Sequence, residues 1–157
     1  MSGQRGKIED DEEMPGRSKK FKPRIVALYC ANALDPKADL AAVVRAAIGF
    51  TVRPVALPCS SKAELSHIMK LLAEGADAVQ VIACLEGNCQ FLVGSTRAEK
   101  RVARGRVFLM QIGMGEERLG LVRGRGLKVE ELMDLLERRA SLVRGLGKNP
   151  ISGEEEK

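Results

Sequence analysis

Residues 24–30 read Arg24-Ile25-Val26-Ala27-Leu28-Tyr29-Cys30, an almost unbroken apolar run behind Pro23. A strand with one wet face would alternate apolar and polar residues. A continuous run instead fits a strand buried on both faces, as in a parallel sheet with helices above and below. The chain on either side supports that reading. Residues 51–59, Thr51-Val52-Arg53-Pro54-Val55-Ala56-Leu57-Pro58-Cys59, form a second strand-like run. Pro54 removes a ladder donor, which an edge strand tolerates. Residues 78–83 are a third run, and it ends at Cys84. Residues 119–122, Leu119-Gly120-Leu121-Val122, are a short fourth.

Helical patterns separate these runs. Leu40, Val43, Val44 and Ala47 recur at spacings of three and four. Ser61 and Glu64 have the capping-box spacing ahead of a stripe of Leu65, Ile68, Met69, Leu72 and Ala76, and Gly75 marks a stop. Residues 95–112 read as a long basic helix with Gly105 as its weak point. Residues 129–143 carry Leu132, Leu135, Leu136 and Leu142 as an apolar stripe. The alternation of strand and helix predicts an α/β domain over residues 22–147 with an open, mostly parallel four-stranded sheet flanked by helices. Residues 1–21 are expected to be a disordered polar arm and residues 148–157 a flexible tail.

Composition narrows the function. The chain has 157 residues, a formal charge of +5, and 3% aromatic residues with no Trp. So few aromatics give no stacking platform, and nucleic acid is not an expected partner. No apolar stretch reaches the roughly 18–20 residues of a membrane helix, and the first residues lack a hydrophobic signal region. The expectation is a cytoplasmic protein with reduced thiols. The glycines of 113–118 and 124–129 do not form a dinucleotide fingerprint, so any flavin is expected on a partner. Asp35, Asp39 and Asp77 read as turn or helix-start residues. No carboxylate pair suggests acid–base catalysis, and His67, the single histidine, has no evident cysteine partner.

The cysteines carry the remaining chemistry. Cys30, Cys59 and Cys84 each stand at a predicted strand end, and Cys89 follows in the next loop. A parallel sheet puts all its carboxyl ends on one edge, where open α/β sheets hold their sites. Four thiols gathered there suit a tetrahedral zinc or an iron–sulfur cluster. Their spacings of twenty-nine, twenty-five and five residues are not those of a zinc ribbon. Buried, inert thiols are the other reading, because cysteine is among the residues most often buried. Arg97, Lys100, Arg101 and Arg104 share one helical face. That face is either a solvated surface or a dock for an acidic partner.

Several landmarks recur in order. They are Cys30-Ala31-Asn32-Ala33, Leu57-Pro58-Cys59-Ser60, Glu74-Gly75-Ala76-Asp77-Ala78-Val79, Ala83-Cys84-Leu85-Glu86-Gly87-Asn88-Cys89-Gln90-Phe91, and Gly94-Ser95-Thr96-Arg97-Ala98 with Arg101 and Val102. Over roughly residues 22–145 the chain resembles the delta subunit of methyl-viologen-reducing hydrogenases. That domain also occurs with heterodisulfide reductase-type flavoproteins. The resemblance implies a flavodoxin-like iron–sulfur domain in which Cys30, Cys59, Cys84 and Cys89 hold a 2Fe–2S cluster. It implies a non-catalytic electron-transfer subunit between a hydrogenase or similar donor and a flavin-containing heterodisulfide reductase-type partner. Members commonly carry a second cysteine where this chain has Ala33, and a histidine where it has Leu85. A cluster-free assembly subunit and a zinc-stabilised module are the alternative expectations.

Overall fold

The structure is a computed structural model that describes residues 21–85 and 94–151. The expected arm, apart from Phe21, and the loop with Cys89 lie outside the described residues. Four strands form one sheet: β1 (Arg24–Cys30), β2 (Thr51–Leu57), β3 (Ala78–Cys84) and β4 (Leu119–Gly124). The helices between and after them are α1 (Leu40–Ala46), α2 (Leu65–Ala73), α3 (Gly94–Gln111) and α4 (Val129–Leu146). Strand order is β2-β1-β3-β4, and every pairing is parallel. The sheet is therefore parallel throughout, and its order opens as the flavodoxin-type sheet does. β2 is an edge strand, which accommodates Pro54 opposite Ala27.

The pleat sends alternate residues of β1 into different layers. Ile25 and Ala27 pack with Val43 of α1 and with Leu132, Leu136, Ala140 and Val143 of α4. Val26 and Leu28 pack with Ile68 and Leu72 of α2 and with Ala98, Val102 and Leu109 of α3. This double burial explains the unbroken apolar run. The α4 stripe closes on Val143, while Leu142, about 100° further round the helix, is exposed.

Two local expectations shift. The capping box at Ser61 does not form: residues Ser60–Lys62 make a 3-10 turn, and α2 starts after Glu64, which makes no side-chain cap. The reason is that the Ser61 backbone is engaged elsewhere. Its N–H bonds Cys59 Sγ at 3.5 Å, and its carbonyl accepts from Arg101 of α3. Gly105 is not a weak point in α3. A Cβ there would sit 2.6 Å from Leu119 Cδ2 and 3.0 Å from Leu65 Cδ1, so glycine lets α3 approach α2 and β4 closely. The Gly75 stop does form, at φ +114°.

A polar network clamps the amino edge of the sheet. Asp77, fully buried, accepts from Arg24 N at 2.9 Å and from Asn149 N at 2.8 Å. Asn149 Nδ2 donates to the Leu72 and Ala76 carbonyls, each at 2.7 Å. The Arg118 guanidinium donates to the Met114, Asp77, Gly147 and Lys148 carbonyls. Burial lowers the Arg118 pKa, and the nearby Asp77 and Glu117 charges pull it back up. Asp77 is thus a buried hub and not a turn residue. Asn149 lies inside the 148–157 stretch expected to be a tail, yet it is 0% exposed. Asp39 and Asp35 do act as local caps, accepting from Ala41 N and Lys37 N. On the α4 side, Arg139 reaches Gln80 Oε1 and the Glu117 carbonyl over Gly120.

Gly105→Ala gains about 1 kcal/mol of helix propensity but overpacks a contact where such insertions cost about 1–3 kcal/mol. It should destabilise in urea melts. Gly145→Ala, in α4 with nothing within 4 Å of the new Cβ, should stabilise by about 0.5–1 kcal/mol. Asn149→Ala strips two buried carbonyls of their donor and should cost about 2–4 kcal/mol in the same melts.

Candidate metal centre

The strand order places three cysteines together. β1 is followed by β2 on one side and, after the next crossover, by β3 on the other. The order reverses between β1 and β3. That reversal opens a crevice outside the carboxyl ends of those two strands. Cys30 is the last residue of β1 and Cys84 the last of β3. Cys59 lies two residues beyond β2, at the head of the Ser60–Lys62 turn. The three side chains pack on one another as a separate cluster, 2%, 2% and 1% exposed. The expected fourth thiol, Cys89, lies outside the described residues.

The turn at Cys59 is held from two directions. The Ser61 N–H points at Cys59 Sγ, and Arg101 bonds the Ser61 carbonyl. Arg101 is thus only partly exposed, unlike Arg97, Lys100 and Arg104, which face solvent. The four cations expected on one face therefore divide: three lie open, and one braces the cysteine turn. Past the three open cations, α3 and the residue after it expose Val107, Phe108, Met110 and Ile112. A basic stripe thus leads into an apolar one along α3.

The three thiols suit a thiolate-bound group in chemistry. They are soft donors, buried together, and one already accepts a backbone N–H. Among the described residues no set of three or more His, Cys, Asp and Glu is arranged to hold a metal ion. Ala33 does not join the thiols. It is buried in the α1–α4 layer among Val43, Phe50 and Leu132. His67 is half-buried on α2.

Two more buried side chains lie on the Cys59 turn and on the helix that packs against it, and sequence pattern gave no sign of them. Ser60 follows Cys59 and is fully buried; Ser95 opens α3 and is buried as well. Neither hydroxyl has a hydrogen-bond partner among the described residues. A cleft of about 430 Å³, lined by Arg24, Arg53, Glu74 and Gly75, lies at the amino end of β1 and β2, away from the thiols. No helix among the described residues is long and apolar enough to cross a membrane.

Comparison with known proteins now adds to this geometry. Residues 25–147 match the model of the family described as methyl-viologen-reducing hydrogenase, delta subunit. The iron-sulfur subunit of the vhu F420-non-reducing hydrogenase of Methanocaldococcus jannaschii is 30% identical over 132 residues, which cover 84% of this chain and 98% of that one. The iron-sulfur subunit of the F420-non-reducing hydrogenase of Archaeoglobus profundus is 34% identical over 119 residues, 74% of this chain and 87% of that one. A shorter match, 29% identical over 97 residues, covers 62% of this chain. It takes up 12% of one subunit of the ferredoxin/F(420)H(2)-dependent CoB-CoM heterodisulfide reductase of Methanosarcina acetivorans. The crevice of thiols thus sits in a chain that belongs to the methyl-viologen-reducing hydrogenase delta subunit family.

Proposed function

We propose that this protein is an electron-transfer subunit in which Cys30, Cys59 and Cys84, with Cys89 from the following loop, hold a 2Fe–2S cluster. The observation that carries the reading is the convergence of three thiols. They come from sequence positions far apart and meet, buried, at the switch in strand order. Relatives named as hydrogenase iron-sulfur subunits support it. A bound cluster would take up one electron and release it again. The chain's own work is to hold soft ligands on rigid strand ends, exclude water from them and present them at an edge. None of this requires a substrate pocket.

The partners we propose are a hydrogenase or similar donor and a flavin-containing heterodisulfide reductase-type acceptor. The match to part of a heterodisulfide reductase polypeptide supports the second. The open cations Arg97, Lys100 and Arg104, with the exposed apolar end of α3, supply a docking face. Charges of this kind raise the encounter rate more than the affinity.

The absence of a ready metal-holding group among the described residues, with Ala33 at the usual second cysteine, favours one competing reading. In it the domain assembles a complex without carrying a cluster. Anaerobic reconstitution separates the two. About two irons and two sulfides per chain, with a reduced-state EPR signal, are expected, and Cys59→Ala should abolish both. Colourless protein with stoichiometric zinc, or with no metal, would sink the cluster. Where no metal is bound, Cys30→Ser should leave complex assembly and electron flow unchanged.

A further inference from the structure

Ser60 and Ser95 hold buried hydroxyls that pair with none of the described residues. Their side chains are 0% and 1% exposed, and neither Oγ has a hydrogen-bond partner among the described residues, the three thiols included. Buried polar groups are nearly always paired, so a buried hydroxyl without a partner is a donor held in reserve for an acceptor. Ser60 is next to Cys59 in the braced turn. Ser95 lies in the first turn of α3, the helix that leaves the carboxyl edge after Cys84 and packs on that turn through Arg101. Ser60 thus adjoins Cys59 in the chain, and Ser95 lies on the helix that packs against the Cys59 turn.

We propose that Ser60 and Ser95 donate their hydroxyl hydrogens to sulfur of the thiolate-bound group once it is bound, and so raise its reduction potential. This rests on the cluster reading above. A hydroxyl rotates freely to meet whichever sulfur is in reach. Sulfur carries more negative charge in the reduced state, so a donated hydrogen bond favours reduction. The Ser61 N–H on Cys59 Sγ is a third donor of the same kind, and it is already in place.

The test uses the full chain, reconstituted anaerobically with iron and sulfide, as wild type, Ser60→Ala, Ser95→Ala and the double variant. EPR-monitored redox titration should move each single variant to more negative potential. At the wild-type midpoint the reduced-to-oxidised ratio should fall about fivefold per hydroxyl, and the shifts should add in the double variant. In the metal-free chains, thermal melting should be unchanged or raised, because an unsatisfied group has been removed. Wild-type potentials in both single variants overturn the inference and leave the cluster standing. A clear fall in metal-free melting temperature in both also overturns it, since the hydroxyls would then be holding the fold. Wild type that takes up no iron or sulfide overturns the cluster reading itself, and this inference with it.

Discussion

A strand in a parallel sheet cannot return through a tight hairpin, so each must be followed by a crossover that carries the chain back to the starting edge. Every strand of this domain obeys that constraint. All amino ends collect at one edge and all carboxyl ends at the other. Once β2 and β3 are laid on opposite sides of β1, the crevice between β1 and β3 exists whatever its lining. The sequence then needs only to put a cysteine at each strand end. Three positions spread over more than fifty residues become neighbours without any one of them contacting another along the chain.

The two edges have opposite chemistry. The amino edge is closed by obligate polar pairing: Asp77, Arg118 and Asn149 spend their donors and acceptors on backbone groups and on each other. The carboxyl edge carries soft, weakly hydrogen-bonding sulfur and two hydroxyls without partners among the described residues. A fully satisfied network rigidifies, whereas unsatisfied groups stay available to a ligand. Burial lowers the Arg139 pKa, and the neighbouring Arg106 lowers it further against the pull of Glu117. That half-buried cation projects from α4 and is met by Gln80 Oε1 and the Glu117 carbonyl.

What the sequence disclosed follows from period and parity. The doubly buried β1 left an unbroken apolar run, and the edge strand β2 could carry Pro54, so fold class and strand positions were legible. So was the meeting of Cys30, Cys59 and Cys84. Features set by single long-range contacts were not. Ser61 looked like a helix cap because its spacing to Glu64 is right, but Arg101, forty positions on, takes its carbonyl. Leu142 fitted the stripe by spacing, yet α4 sits on the sheet through Val143. Gly105 looked like a flaw because the side chains pressing on it belong to α2 and β4. Asn149 carries no local signal, since its partners lie more than seventy residues earlier.

The clamp around Asn149 has a consequence for how the domain can be carried. β1 enters the sheet at Arg24, and the last helical segment returns to Asp77 beside it. Both ends of the folded unit therefore leave from the same side, about 20 Å of strand away from the thiols. Chain added at either end thus starts from the amino edge and need not cross the edge that holds the thiols.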